Sequence, residues 1–496
     1  MTKLNTSSMK KHKLSLFSSV VLCCTSMVGS GWLFSAQLVA QRAGNYAFLA
    51  WILAALFIIS IALCLSHVIT LHPYRGANAR ITSISHNAAF GIPFAFSAWF
   101  GIAVVIATEA QASTQYLAPF MGNMIMQDNK LTELGKALGV AFVCLYLLIN
   151  WYGLKLLSKV NNIITVLKIF TPLFVITILI VSYTSADNLT QVNTHQYTLQ
   201  DLFPAIVTSG IIYSFNGFQI ITSFASEIDN PKKNIRLSII ISIIIILVFY
   251  LLLQYSFMTS MPTDKLTHGW AGVNMASPIV GLTMALGLHF LTLLLLIDSI
   301  VTPSSVGYSF LSSASRMLYG MSKEKQAPYF LSRHIHPTKN ISIPAIMTNF
   351  FIAIIFLLQA DNWSELMITV TMLHLIGYMG APISMATISP KTKIYTLGVF
   401  TAISSLMYIL PDKDILLGST LLSLLSATYI IIQGKKQLKE SVLFSSPFII
   451  FLWLLYFNQP LWGHLLITII FFTFVTHPSY VMLCKQYQKP PSSDLI

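Results

Sequence analysis

Three ionisable side chains lie inside long apolar stretches of this 496-residue chain: Glu109, Lys168 and Asp298. A charge in hydrocarbon is costly, so each marks a functional position by default. Lys168 follows Asn161-Asn162-Ile163-Ile164-Thr165-Val166-Leu167, well past Lys159 and deep enough that snorkelling to the surface is strained. A lysine that alternates there between ammonium and neutral amine can couple solute movement to protons. The other reading is a static pair with a carboxylate or a helix-end carbonyl. Glu109, near the outer half of its segment, has three readings: a partner for a substrate amine, a proton carrier, or the cap of a polar cluster with Thr108 and Gln111. Asp298 opens a polar stretch through Thr302, Pro303, Ser304 and Ser305. Those hydroxyls either satisfy the carbonyl that Pro303 frees, or form with Asp298 the wall of an ion or proton site facing Lys168.

Two apolar stretches are also interrupted, at Gly29-Ser30-Gly31-Trp32 and at Phe215-Asn216-Gly217-Phe218, in the first and sixth long segments. In a bilayer, irregular backbone survives only where protein covers it or where it lines a cavity. Paired breaks five segments apart match an inverted repeat whose discontinuous helices hold a solute near the midplane, with half-helix N-termini facing an anionic group. Trp32, Tyr213, Phe215 and Phe218 flank the breaks, where their rings could close over a solute. The alternative for either break is an ordinary helix-packing glycine.

The elements that must position these residues follow from composition. The chain is 55% hydrophobic and 9% charged, with a mean hydropathy of +0.72, which fits a polytopic all-α membrane protein and no water-soluble domain. Spans are predicted at about 14–40, 46–71, 92–118, 134–152, 160–183, 203–225, 237–260, 278–310, 343–359, 364–389, 394–410 and 415–433, with shorter runs at about 443–457 and 461–477. Fourteen helices is the expectation and twelve the fallback. The net charge of +13 lies in short loops, which points to topology rather than to nucleic acid. Outside the spans only Arg42, Lys130, Lys136, Lys265 and Lys413 fall on the outer side, so both termini are expected in the cytoplasm of a multi-pass cell-membrane protein. The apolar run after Lys10-Lys11-His12-Lys13 has no small-x-small cleavage site and is expected to stay as the first helix. The polar inner loops at about 72–91 and 316–342 are expected to hold interfacial structure.

Cys23, Cys24, Cys64, Cys144 and Cys484 form no disulfide framework, and no metal spacing or cofactor motif is present. His67, His289, His374 and His464 are expected to be hydrogen-bonded packing residues. No H-E-x-x-H or comparable catalytic constellation supports an enzyme, and no filter motif supports a channel. A sensor that binds its solute without net transport remains as an alternative from another class.

Four motifs in order, Gly29-Ser30-Gly31-Trp32-Leu33-Phe34, Tyr213 to Phe218, Glu227-Ile228-Asp229-Asn230-Pro231 and Ser315-Arg316-Met317-Leu318-Tyr319-Gly320, resemble the amino acid–polyamine–organocation (APC) superfamily over about residues 14–435. Within it the GSGWLF opening and the stretches Ala107–Tyr116 and Asp298–Gly307 are similar to bacterial aspartate–proton symporter-like permeases. The resemblance implies a LeuT-type 5+5 inverted repeat, with repeats at about 14–185 and 203–390 and further helices at 394–433. A cytoplasmic tail at 1–13 precedes this core, and a C-terminal hairpin and tail at 436–496 follow it. It implies an amino acid permease, either a proton symporter or an amino acid/amine antiporter. The substrate carboxylate would meet the backbone at Ser30 and Gly31, the amine carbonyls near Met27 and Tyr213, and the aromatic gate Tyr213 or Phe215. Gly29, Trp32, Asn216 and Gly217 complete the expected binding set, and Lys168 matches the lysine that stands in for sodium in proton-coupled members, with Ser304 and Ser305 beside it. The chain departs from the pattern at His67, Gly76-Ala77, Ser226 and Arg236, all on the expected inner side, where they bear on the inner gate.

Overall fold

Apolar backbone without water must bond to itself, and helices do so within one segment. The computed structural model describes residues 13–71, 81–152, 154–190, 196–333, 342–434, 437–457 and 460–487, and nearly all of them are helical. Residues 1–12, the Pro73 to Ala77 loop and the side chain of Ser226 lie outside what it describes.

The first apolar run is split into α1 (Leu16–Met27) and α2 (Gly31–Ala43). Gly44, at φ +47, then turns the chain into α3 (Ala47–Leu71). A straight helix from Gly31 to Leu71 would be about 60 Å long, twice the hydrocarbon thickness, so this turn separates two spans. After α4 (Ile81–Ser85), Asn87 caps α5 (Ala88–Gln115) by accepting from Phe90 N at 2.9 Å. A short α6 (Ala118–Met121) and a hairpin of β1 (Met126–Gln127) with β2 (Lys130–Leu131) lead to α7 (Glu133–Tyr152), α8 (Leu154–Tyr183) and α9 (Asp187–Thr190).

The second broken run has three pieces: α10 (Leu202–Thr208), α11 (Ile211–Ser214) and α12 (Ile220–Ser223). It is followed by α13 (Pro231–Thr259), α14 (Pro278–Ala285), α15 (His289–Lys323) and α16 (Ile343–Gln359). Then come α17 (Trp363–Tyr378), α18 (Gly380–Ile388), α19 (Lys393–Tyr408), α20 (Asp412–Gln433), α21 (Leu438–Phe457), α22 (Leu461–Val475) and α23 (Pro478–Gln486). Nine described helical stretches are long and apolar enough to cross a bilayer, ten with α22 and α23, which meet at 53°. Every predicted span coincides with one or more helices. Those that fail the length test alone are broken or short: α1, α10 to α12, α16, α19 and α22.

One span is corrected. The run at 278–310 is not continuous, because Gly287, at φ +72, ends α14 and the crossing helix starts at His289. That helix runs on to Lys323, so residues 316–323 of the predicted loop continue the helix. In the rest of that loop the described structure is one 3₁₀ turn, Tyr329–Ser332.

The α5 span and the α17–α18 pair are the most enclosed, packed on each other, with α15 and α16 also against α5. The lipid-facing sides carry Phe17, Val181, Ile431 and Trp462, all well exposed. α21 packs on α5, and a phenylalanine cluster of Phe400, Phe448, Phe451 and Phe471 joins it to α19 and α22. Leu14, just before α1, pairs with the 227–229 segment: its N–H donates to Glu227 O at 2.8 Å, and Asp229 N donates to Leu14 O at 3.0 Å.

Candidate functional site

Where Val28, Gly29 and Ser30 leave the helix, the last carbonyls of α1 and the first N–H groups of α2 face one gap with opposite partial charge. The chain puts a charge of matching sign at each end. Ser30 N donates to Glu109 Oε2 at 3.0 Å and to Oε1 at 3.3 Å, and Ser30 Oγ donates to Oε1 at 3.0 Å. Tyr213, on α11, donates its hydroxyl to the same Oε1 at 2.6 Å. Gly29 allows this approach, since a Cβ there would lie 2.9 Å from Glu109 Oε1. At the other end Lys168, on α8, donates its ammonium to Thr25 O in the last turn of α1 at 2.9 Å. Both charged side chains are buried. They do not touch, but each lies within electrostatic reach of the other, and Lys168 also of Asp298.

Two glycines bring the broken helices together. At Gly217, φ is +122 and an added Cβ would lie 2.5 Å from Ser26 O, so only glycine lets the second break cross the end of α1. Gly31 meets α11 in the same way, its added Cβ 2.6 Å from Ser214 Oγ. Gln219 ties off the second break: its amide donates to Asn216 Oδ1 at 2.6 Å and accepts from Gly217 N at 3.1 Å.

Aromatic rings pack over one side of the break. Trp363 begins α17, capped by Asn362, which accepts from Glu365 N at 3.4 Å. Its indole N–H donates to Ser30 Oγ at 2.9 Å, while its ring stacks on Phe34 at 4.5 Å and meets Tyr213 edge-on at 5.5 Å. Tyr116 donates to Leu33 O at 2.5 Å, and Gln115 accepts from Trp363 N at 3.2 Å. The salt bridge of Lys130 to Asp361, at 2.9 Å, joins the β-hairpin to the chain just before Trp363. A small cavity elsewhere is lined by Leu65, Ala98, Ile102, His374 and Tyr378 together with Gln219 of the second break.

The structure thus brings Ser30, Glu109 and Tyr213 into one cluster, with Gly29 giving Glu109 room. Several expectations are corrected. Glu109 caps no cluster with Thr108 and Gln111: Thr108 Oγ1 bonds back to Val104 O at 3.0 Å, and neither polar atom of the Gln111 amide has a partner among the described residues. Helical spacing turns both away from Glu109. Phe215 is no gate, because its ring lies against Trp51 and Tyr250, each at 6.1 Å, in the packing between α3 and α13. Ser304 and Ser305 make no bond to Lys168: Ser305 bonds back to Thr302 O at 2.7 Å, and Ser304 accepts from Tyr146 at 3.4 Å. Asp298 accepts from Thr302 at 2.9 Å through Oδ1. Trp32 and Met27 are buried beside the break, the indole N–H of Trp32 without a partner among the described residues. His67 bonds Ser389 Oγ at 2.8 Å, and His464 bonds Ser404 Oγ at 2.9 Å.

Sequence reasoning missed Trp363, Phe34 and Gln115. The available signal for Trp363 was an Asn-Trp-x-Glu helix start at the head of an apolar run.

The family model described as amino acid permease matches residues 18–464. The glutamate/serine transporter AimA of Bacillus subtilis is 31% identical over 76% of this chain and 71% of its own length. The aspartate-proton symporter of the same organism is 28% identical over 77% of this chain and 74% of its own. A probable agmatine/putrescine antiporter of Lactococcus lactis is 27% identical over 52% and 54%.

Proposed function

Because this chain belongs to the amino acid permease family, a family of transporters and not of enzymes, we propose that it carries amino acids across the cell membrane together with protons. The reading rests on one observation: the first break holds a carboxylate on its N–H end and an ammonium on its carbonyl end. An amino acid zwitterion carries the same two charges and needs the same two helix ends. For its carboxylate to reach Ser30 N, the carboxylate of Glu109 must give way, and a proton on Glu109 removes the charge that holds it there. Substrate and proton then enter together, and loss of the proton restores Glu109 to Ser30 and expels the solute. Lys168, held to Thr25 O, carries the second exchangeable proton and links α8 to α1.

In this reading Met27, Gly29, Ser30, Gly31, Trp32, Tyr213, Asn216 and Gly217 surround the solute, and Tyr213 with Trp363 forms the lid. Residues about 14–185 and 203–390 form the two repeats, 394–433 and the C-terminal hairpin flank them, and both termini lie in the cytoplasm, as the lysine and arginine placement supports. Exchange without a proton is the second reading, favoured by the similarity to an antiporter.

Uptake of a radiolabelled amino acid panel into proteoliposomes, with and without an imposed pH gradient, tests the proposal. The expected result is accumulation driven by an inward proton gradient. Uptake that needs preloaded amine or amino acid and ignores the gradient would replace symport by exchange.

A further inference from the structure

Between the 3₁₀ turn Trp270–Gly272 and the start of α14 at Pro278 the chain runs without helix or strand, so its backbone groups need partners from elsewhere. Glutamine side chains supply several. Met275 N donates to Gln37 Oε1 at 3.0 Å, Gln37 Nε2 donates back to Met275 O at 3.1 Å, and Gln41 Nε2 donates to Val273 O. Both glutamines lie on α2, so the 273–277 segment is fastened to the half-helix that begins at the first break.

The far end of the segment is fastened to α5. Gln115 Nε2 donates to Ala276 O at 2.8 Å, and Ser277 Oγ donates to Gln115 O at 3.0 Å. Through Oε1 the same amide accepts from Trp363 N at 3.2 Å. A backbone N–H only donates and a carbonyl only accepts, so these two partners call for a side chain with donor and acceptor on one carbon. Trp363 in turn donates its indole N–H to Ser30 Oγ, and Ser30 donates to Glu109. Glu109 and Gln115 both belong to α5, about 9 Å apart along its axis, so this helix grips Trp363 twice, directly at Gln115 and through Ser30 at Glu109. Gln115 is buried and uncharged, so its bonds break and reform without moving a charge into or out of water. In the transport reading the grip at Glu109 is released whenever a solute enters. The grip at Gln115 is altered by neither proton nor solute, which leaves it to decide whether Trp363 stays seated.

We propose that Gln115 is the positioning residue of the lid: it seats Trp363 over Ser30 and ties it to the 273–277 segment carried by α2, so that lid, segment and half-helix open and close together. The inference rests on the transport reading above and adds the residue that sets its closure.

Two variants test it. Gln115→Leu removes both side-chain bonds, whereas Gln115→Glu keeps an acceptor for Trp363 N but sets a carboxylate against Ala276 O until acid restores a donor. Opening is read without substrate from a thiol placed by Ala112→Cys, midway between Glu109 and Gln115 on α5, whose labelling by N-ethylmaleimide in detergent is followed by peptide mass spectrometry. Cys64, buried in α3, reports unfolding in the same digest. Relative to Ala112→Cys alone, Gln115→Leu is expected to label residue 112 about fivefold faster, the worth of one net hydrogen bond, with Cys64 still protected. Gln115→Glu is expected to label faster at about pH 8 and to return toward the rate of Ala112→Cys alone at about pH 5, near the ordinary range of a glutamate. Referring each rate to Ala112→Cys at the same pH removes the titration of the thiol and of Glu109, Asp361 and Glu365, the carboxylates on α5 and at the head of α17. In proteoliposomes, with the amino acid taken up fastest from the panel above, Gln115→Leu is expected to raise KM about fivefold while the maximal rate holds. Where the leucine variant exposes Cys64 as well, the pH reversal of the glutamate variant decides. Unchanged labelling of residue 112 in both variants, or equal acceleration of Gln115→Glu at both pH values, overturns the proposal and leaves transport standing. Vesicles that take up no member of the panel overturn the transport reading, and this inference with it.

Discussion

Glu109 and Lys168 occupy opposite ends of the same helix break: the carboxylate accepts from Ser30 N at the start of α2, and the ammonium donates to Thr25 O at the end of α1. Only four residues of sequence lie between the two anchors, yet the charges come from α5 and α8. Each is placed where the half-helix dipole favours its sign, which offsets part of the cost of burying it. The arrangement also makes the break sensitive to charge, since neutralising either group weakens a charge-assisted bond between a broken helix and its neighbour.

Glu109→Gln is expected to separate binding from coupling. The amide keeps the size of the acid but lacks the charge that makes its bonds to Ser30 and Tyr213 strong. Exchange of substrate across the membrane should persist, lose its dependence on external pH, and no longer concentrate solute under a proton gradient. Uptake and counterflow measured at several pH values check this; a glutamine variant with wild-type accumulation would remove Glu109 from the coupling step.

Three glycines are expected to divide into two kinds. Gly217→Ala must hold φ +122 and fit a Cβ against Ser26 O, and Gly31→Val must displace Ser214. Each should destabilise the protein by about 1–3 kcal/mol or more. Gly29→Ala presses on Glu109 Oε1 alone, the far end of a side chain. It should lower transport with little change in thermal unfolding. Melting curves in detergent beside uptake rates distinguish them, and equal losses of stability at all three positions would refute the division.

The spans were legible because hydrocarbon demands about twenty apolar residues per crossing, a signal that composition alone carries. The two breaks were legible because Gly29-Ser30-Gly31 and Asn216-Gly217 interrupt otherwise smooth apolar runs. Their neighbours in space were not. Nothing in the local sequence of Trp363 says that it covers Ser30, 333 residues away, and Phe215 beside the break looks like a gate residue until the turn of α11 is known to aim it at Trp51. Gly31 misled in a related way: a close approach was expected there, and it is to Ser214 of the chain itself. Burial marked Glu109 as costly, but only the tertiary crossing identifies which backbone group it meets.

A pH effect outside the spans is expected at His86, between α4 and α5. Its Nε2 donates to Val475 O at 2.9 Å, its Nδ1 lies 2.8 Å from Ser85 Oγ, and the ring stacks on Phe90 at 4.4 Å, which fastens the end of α22 to the base of α5. Burial pushes its pKa down to about 4. A group depressed in the folded state contributes stability that is complete above its ordinary value near 6.5 and is lost as the pH falls through about 4. Thermal unfolding of the wild type should therefore worsen between these limits, and His86→Gln should flatten that slope while lowering stability at neutral pH. An unchanged acid slope would count against the assignment.

The last expectation concerns Lys168. Its bond to Thr25 O holds α8 against the carbonyl end of α1, and Glu109 and Asp298 lie within electrostatic reach of it. Lys168→Ala removes both the charge and the tether, so an inward proton gradient should no longer accelerate uptake. Binding and some exchange should survive, because the backbone at Ser30 and the Tyr213 hydroxyl are untouched. Lys168→Arg restores a positive charge that never leaves, since a guanidinium keeps its proton at any working pH. It should restore the tether and the melting temperature without restoring gradient-driven accumulation. The two variants measured side by side separate a structural lysine from a coupling one: arginine that rescues stability and accumulation together makes Lys168 a tether only, and leaves coupling to Glu109 or Asp298.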